Sequence, residues 1–412
     1  MIDHDQLHRD LATLATIVEP GCAGTTRRAF TAAHAAGRQW LTTQYAAAGL
    51  ETSIDAGGNL IGRRAGSAVL PPIVIGSHSD TVMAGGMYDG ALGVLAGLAV
   101  ARALHQSGQM LRHPLEIVDF LAEESTPLGS LIGSTAMCVG LDEVTLALDI
   151  PAWGRLSDAL TRSGGNPHAA QRASRRTGDI AAYLEVHIEQ GPFLEVAQQP
   201  IAAVTGIVGI RRADVICRGR PDHAGTAAMT MRHDALAAVA EVITAAEAAA
   251  RGLPGTVATV GALTIGPNQS NVVPASVRFS VEMRSLLWAE VETLWVEIHG
   301  ALEAACRSRG VVVEIEMIHD SAPVTFPPGL VDIVSTACMS TAGSSLRISS
   351  GAGHDASLMA GIGPAGMIFV RTKDGRSHCP EEYAAPADIN VAVDALVAAV
   401  MHIDARERDL VV

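Results

Sequence analysis

An apolar run at residues 73–75 (Ile-Val-Ile) feeds directly into Gly76-Ser-His-Ser-Asp-Thr-Val-Met-Ala-Gly-Gly-Met-Tyr-Asp-Gly-Ala-Leu-Gly-Val94, which leads on into helical spacing over 94–104. A strand that becomes a helix through such a segment delivers His78, Asp80 and Asp89 to the carboxyl end of a strand. That is where open α/β sheets bind ligands. Gly85, Gly86 and Gly90 crowd the same stretch, as expected where backbone turns tightly or approaches a ligand. An imidazole with two carboxylates suits a divalent cation such as zinc, manganese or cobalt. A strand–turn–helix with polar residues on its surface accounts for these letters equally well.

Further along, residues 115–121 form a second strand candidate that ends at Ala122-Glu-Glu-Ser125. Adjacent carboxylates at a strand end are unfavourable unless a cation or proton is shared between them; taken alone, an exposed acidic turn is the commoner explanation. Residues 181–192 resume a strand, with Leu184, Val186 and Ile188 alternating against Glu185, His187 and Glu189. A lone strand histidine such as His187 is more often hydrogen-bonded structure than a ligand. Upstream of all these, 5–17 and 27–49 carry helical spacing, and 50–54 and 59–62 read as short strands. Residues 151–180 are polar and irregular.

From about Gly209 the pattern changes to strand 210–217, helix 231–251, strands 255–265 and 276–283, helix 288–309 and strand 311–317. This β-α-β-β-α-β order is that of a ferredoxin-like domain. It is inserted, because α/β patterning returns after Pro323 with helix 329–341, residues 347–349, Ser350-Gly-Ala-Gly-His-Asp355 and strand 366–370. Ser377-His-Cys-Pro-Glu-Glu382 and a closing helix to about Arg406 complete the chain. The expected domains are 1–208 with 322–412, and 209–321.

At 412 residues the chain is long enough for two or three domains, and its core is aliphatic. A net charge of −14 without a long basic run argues against a nucleic-acid surface. No apolar run approaches the roughly 20 residues of a membrane span, and the first residues lack signal-peptide regions. The six cysteines are scattered without a Cys-x-x-Cys pair, which suits reduced thiols. A soluble cytoplasmic enzyme with neither nucleic acid nor membrane as partner is expected.

Taken in order, His78-x-Asp80, Tyr88-Asp-Gly90, Glu123-Glu124, His187-Ile-Glu-Gln-Gly-Pro192 and Ser377-His378 resemble the co-catalytic metallohydrolase clan that includes carboxypeptidase G and the aminoacylases. His187-Ile-Glu-Gln-Gly-Pro192, His223-Ala-Gly-Thr226, Ser350-Gly-Ala-Gly-His-Asp355 and Lys373-Asp-Gly-x-Ser-His378 narrow the likeness to one branch. Its members are the N-carbamoyl-L-amino-acid hydrolases, allantoate amidohydrolases and β-ureidopropionases. The resemblance spans nearly the whole chain. It implies an α/β catalytic domain with a mixed central sheet flanked by helices, plus an inserted ferredoxin-like α+β lid through which a homodimer forms. It also implies two divalent ions per subunit (Zn, Mn, Co or Ni).

Carried over position by position, His78 and His187 would hold one ion, Glu124 and His378 the other, and Asp89 would bridge them. Asp80 would sit behind His78 and fix its tautomer, and Glu123 would be the general base. His223 would stabilise the oxyanion, in its own or the partner's site; a loop histidine capping the next helix is the plainer alternative. Arg284 and Asn271 would grip the substrate carboxylate, rather than forming a strand-edge ion pair and an Asx turn. Gln190 and the backbone at Gly353 would make further substrate contacts, with His354 a polar neighbour.

Ureido carbons are poor electrophiles and neutral water a poor nucleophile; two cations about 3.5–4 Å apart can lower the pKa of a shared water and polarise the carbonyl. One departure stands out: the family often has Gly after the glutamate pair, then Arg-Phe, whereas here the run is Ser125-Thr-Pro-Leu128. That bears on substrate shape more than on hydrolysis. The implied reaction is cleavage of an N-carbamoyl-L-amino acid to amino acid, carbon dioxide and ammonia. Allantoate or 3-ureidopropionate is the alternative substrate. An aminoacylase or dipeptidase, or a non-catalytic ureide-binding dimer, ranks below these.

Overall fold

The computed structural model describes residues 2–151 and 153–406. The chain divides into two compact units, Met1–Thr205 with Phe326–Val412, and Gly206–Thr325. Residues 407–412, which close the expected catalytic domain, lie outside the described residues.

Seven strands organise the first unit: β1 (Glu51–Ile54), β2 (Leu60–Arg64), β3 (Ile73–His78), β4 (Leu115–Phe120), β5 (Ala182–Ile188), β6 (Ile201–Ile207) and β7 (Ala365–Val370). They lie in the order β1-β2-β4-β3-β5-β7-β6, and Leu346–Ser350 also pairs with β6. The four central strands β4, β3, β5 and β7 are mutually parallel, whereas β2, β1 and β6 run antiparallel to their neighbours. This is the mixed sheet that the resemblance implied.

The parallel strands are buried along their whole length. Strands covered on both faces read as continuous apolar runs, not as alternation. Helices Ala91–Ser107, Pro328–Ala342 and Pro386–Asp404 supply one cover, with Leu92, Leu95, Val334, Ile389 and Leu396 joining Ile75, Ile117, Leu184 and Ile368 in one core. Each such side chain contributes about 1.5–3 kcal/mol on burial. Pro386–Asp404 is long and apolar enough to cross a membrane by composition, but its apolar residues are part of this core.

Two charged groups on the buried β4 are paired. Glu116 accepts from Arg63 Nη1 (2.9 Å) and Arg175 Nη2 (2.6 Å), and Asp119 from Arg38 Nε (3.1 Å). A third buried charge ties the N-terminus to the sheet. Arg27 is fully buried, its Nε donating to the Ser79 carbonyl (2.7 Å) and its Nη1 to the carbonyls of Leu14 (2.7 Å) and Ile17 (3.1 Å). One guanidinium thus joins the end of helix His4–Ala15 to the turn after β3.

The second unit has the β-α-β-β-α-β order. Its antiparallel sheet runs Val257–Thr259 with Leu263–Gly266, then Ser276–Ser285, Gly209–Arg218 and Val312–Ser321. The strand expected over 255–265 is broken into two short pieces, both pairing with Ser276–Ser285. Val277, Phe279, Val281 and Met283 alternate inward to meet Val239, Val242, Leu294 and Ile298 from helices Ala235–Gly252 and Trp288–Arg309. The outward positions are laced by ion pairs, Arg278–Asp214 (2.6 Å), Arg218–Glu314 (2.8 Å) and Arg212–Glu282.

Candidate metal centre

Each parallel strand of the first unit ends in a group that reaches the same place. His78 closes β3, the glutamate pair follows β4, His187 is the next-to-last residue of β5, and His378 lies in the loop after β7. Asp89 comes from the turn that opens helix Ala91–Ser107, whose N-cap is Gly90 at φ +64°. A Cβ on Gly90 would lie 2.3 Å from the His78 ring, so the close approach requires glycine.

The Asp89 carboxylate is the centre. Its Oδ1 lies 3.2 Å from His187 Nε2 and 3.7 Å from His78 Nε2, while its Oδ2 lies 3.1 Å from His378 Nε2. Glu124 Oε1 is 3.4 Å from His378 Nε2, and Glu123 Oε2 is 3.5 Å from His78 Nε2. Two groups of candidate ligands therefore share Asp89: His78–Asp89–His187 and Asp89–Glu124–His378.

The hydrogen bonds around these groups test whether cations fit. His78 Nδ1 faces the Asp80 carbonyl (3.0 Å) and His187 Nδ1 the Ile188 carbonyl (2.9 Å), so both donate there. In the neutral ring each Nε2 then turns a lone pair toward the Asp89 carboxylate. That arrangement is repulsive unless positive charge lies between them. Among the described residues Glu124 Oε1 is buried without a hydrogen-bond partner, His378 Nε2 standing off at 3.4 Å. A divalent ion in each group satisfies all of these atoms, and imidazole with carboxylate is a suitable donor set for zinc, manganese, cobalt or nickel.

Without cations, protons take their place. Burial opposes charge on His78, but Glu123, Asp80, Asp89 and Glu124 around it lift its pKa well above the ordinary value. His187 is raised by Asp89 against the same desolvation. The carboxylates of Asp89 and Glu124 beside it raise His378 to about 10. Burial raises Asp89 too, but its contacts with His187 and His378 outweigh that and hold it well below the carboxylate range. Desolvation pushes Glu123 well up, helped by Asp355 and Glu124, and burial lifts Asp80 to about 7.

Asp80 meets His78 through its main chain, not through its carboxylate. Its carboxylate is 3.7 Å from His78 Nδ1 and instead accepts the N–H groups of Glu123 and Glu124, both at 3.3 Å, while its main-chain carbonyl takes the imidazole proton. Glu123 and Glu124 are adjacent in the chain, yet each approaches a histidine of the cluster. Ala122 has φ +54°, so the chain leaves the extended region just before the pair, and both carboxylates lie at the cluster.

Gln190, expected at the substrate, donates through Nε2 to Asp89 Oδ2 (2.9 Å), and its Oε1 is buried without a partner among the described residues. Both Gln190 and His378 hold positive φ, +58° and +57°. Such strain persists where the surroundings over-determine it and gathers at functional sites. Gly353 is exposed, whereas His354 beside it is buried, with Nε2 2.8 Å from Ser350 Oγ and its ring edge-on to His187 at 4.4 Å.

His223, Asn271 and Arg284 belong to the second unit. His223 is exposed, its Nδ1 accepting from Gly225 N (3.0 Å), and the Asn271 carbonyl takes the neighbouring Ala224 N–H (2.9 Å). Arg284 pairs with Glu282 at 2.7 Å.

Three participants escaped the sequence reading. Glu185 is buried under His187, held by Ser77 Oγ (3.0 Å), Tyr183 Oη (2.9 Å) and Ala356 N (3.1 Å). Glu185, His187 and His354 could form a third ligand group, but those donors already occupy Glu185, so it acts as support. Asp355 is fully buried nearby, and burial and then Glu185 raise its pKa well above the usual range. Glu382 accepts from Tyr88 N (2.9 Å), Asp89 N (3.1 Å) and Ser377 Oγ (2.8 Å). The one available signal was an acid four residues past His378, too common a spacing to single out.

Residues 74–402 match the family described as Peptidase family M20/M25/M40. Over 404 residues the chain is 35% identical to the N-carbamoyl-L-amino-acid amidohydrolase of Paenarthrobacter aurescens, across 97% of this chain and 98% of that one. It is 34% identical over 385 residues to a probable allantoate deiminase of Oryza sativa subsp. japonica, across 85% and 78%. The crystal structure of an amidase of the hydantoinase/carbamoylase family from Burkholderia multivorans superposes with a TM-score of 0.92 at 31% identity, covering 98% of each chain.

Proposed function

Since the chain belongs to peptidase family M20/M25/M40, we propose that it is a metal-dependent amidohydrolase that cleaves a non-peptide C–N bond of a carboxylate-bearing ureide. The favoured substrate is an N-carbamoyl-L-amino acid, split into amino acid, carbon dioxide and ammonia. The observation that carries this reading is Asp89, whose two oxygens each face a separate group of candidate ligands. Relatives named for carbamoyl amino acids and for allantoate supply the substrate class.

His78 and His187 would hold one cation, Glu124 and His378 the other, and Asp89 both. When bound, such ions polarise the carbonyl and acidify water. Glu123 lies within reach of the same space without belonging to either ligand group. Its role is to accept the proton of the attacking water at Oε2 and return it to the departing nitrogen. Asp80 holds the two glutamates in place through their backbone N–H groups. Gln190 steadies Asp89 through its amide nitrogen and leaves its buried oxygen for a donor on the substrate, such as a ureido N–H.

Residue identity adds His223 as a donor to the developing oxyanion, Arg284 and Asn271 for the substrate carboxylate, and the Gly353 backbone with His354 as further contacts. The same reading gives a homodimer formed through the 206–325 unit, a cytoplasmic location in keeping with six free thiols, and no nucleic-acid or membrane partner. The deciding experiment assays carbamoyl amino acids, allantoate and 3-ureidopropionate with each added metal, alongside N-acetyl amino acids. Preferential hydrolysis of a ureide is expected. Equal activity on N-acetyl amino acids favours an aminoacylase, and no turnover with any metal refutes the enzyme. Arg284→Ala should raise KM for carboxylate substrates and leave their amides unaffected.

A further inference from the structure

Glu382 belongs to neither ligand group, yet the residue is only 5% exposed and its carboxylate is tied to both sides of the site. Oε1 accepts the backbone N–H groups of Tyr88 (2.9 Å) and Asp89 (3.1 Å). Oε2 faces Ser377 Oγ at 2.8 Å, and the same hydroxyl lies 2.9 Å from Asp89 Oδ2. Ser377 has one hydroxyl hydrogen, so it serves one carboxylate at a time. The site's geometry points to Glu382 as a positioning residue that fixes Asp89 and the His378 loop in one frame, and so sets the affinity for the cation at Asp89, Glu124 and His378. This rests on the two-cation reading above.

Two features separate this role from ordinary packing. The acid is placed against another acid: a single hydroxyl, Ser377 Oγ, stands 2.8 Å from Glu382 Oε2 and 2.9 Å from Asp89 Oδ2, an unfavourable arrangement for two buried carboxylates unless it gains something in the loaded site. The neighbouring backbone is also shaped to admit it. A Cβ on Gly86 would lie 2.1 Å from Glu382 Oε1 and 2.2 Å from Cδ, so only glycine at 86 leaves room for the carboxylate. Gly86→Ala should therefore displace the same clamp from the opposite side.

The test is titration of the metal-free chain with Co²⁺, followed by calorimetry and by the visible absorption of the bound ion, with unfolding of the metal-free forms measured in parallel. Wild type is expected to take up two Co²⁺. Glu382→Ala and Gly86→Ala should each lose about 10–100-fold in affinity for the more weakly held ion, the usual effect of removing a support behind a ligand. The double variant should lose no more than the worse single one, because both changes break the same clamp. Glu382→Gln keeps an acceptor for the two N–H groups and should recover most of the loss. Glu381→Gln, at an exposed residue paired with Arg376, should change nothing.

Variants whose folded fraction binds the second Co²⁺ as wild type does overturn the assignment of Glu382 alone, and so does a fully additive double variant. A wild type that binds a single Co²⁺ overturns the two-cation reading and this inference together.

Discussion

Replacing Glu123 by glutamine removes a proton acceptor while changing little else. The residue is 9% exposed, and its backbone N–H is held by Asp80. In the metal-free protein, burial and the neighbouring Asp355 and Glu124 keep this carboxyl protonated well beyond its ordinary range. A neutral amide of the same shape resembles that protonated state, so the metal-free variant should unfold no earlier than wild type. Glu123 is in neither ligand group, so cation content should persist.

Turnover is where the loss should fall. A positioned general base contributes about 10²–10⁴ in rate, which at 1.36 kcal/mol per decade is about 3–5 kcal/mol of barrier. The assay is kcat on the best ureide of the panel at matched metal content, with metal measured by elemental analysis. A variant that keeps wild-type kcat with full metal refutes the assignment of Glu123. One that loses activity only because it loses metal makes Glu123 a ligand instead.

Cation uptake should release protons, because His78, His187 and His378 all hold them more tightly than a free imidazole, His378 up to about 10. Apparent affinity then rises with pH until those sites have given up their protons. Calorimetry in buffers of different ionisation enthalpy checks this, and zero release near neutrality contradicts it. Gly90→Ala should abolish binding at His78, because the new methyl meets the ring. Gly108→Ala, also at positive φ but in open space, should cost about 1–2 kcal/mol of stability and leave metal content intact. Arg38→Ala strands the buried Asp119 and should destabilise by about 3–5 kcal/mol in urea unfolding; a variant as stable as wild type refutes that pairing.

What the sequence revealed was the part in which local pattern and chemistry coincide. His78 ends an apolar run and Asp89 precedes a glycine at a helix start. The glutamate pair follows a strand, so their common location at the carboxyl end of the sheet was readable. The mixed sheet came with the family resemblance, because apolar runs alone do not tell parallel from antiparallel neighbours. Supports that reach across the fold were not readable. Nothing in the letters shows that Asp80 turns its carboxylate to two backbone N–H groups and its carbonyl to the imidazole. Nor do they show that Ala122 adopts positive φ, which turns the chain out of the strand just before Glu123. Glu185, Asp355 and Glu382 look like any surface acid until the packing of β5, helix Asp355–Met359 and the 377–382 loop buries them.

The fully buried Arg27 has a practical corollary for anyone shortening this protein. Its guanidinium is the rivet between the carbonyls at Leu14 and Ile17 and the one at Ser79, so a chain trimmed past Ile17 would leave a dehydrated cation with two of these three acceptors missing. The damage would surface not at the cut but in the Ser79 segment, between two of the side chains that matter most. The opening helix, remote in sequence from every ligand, is a prop that preparative trimming should spare.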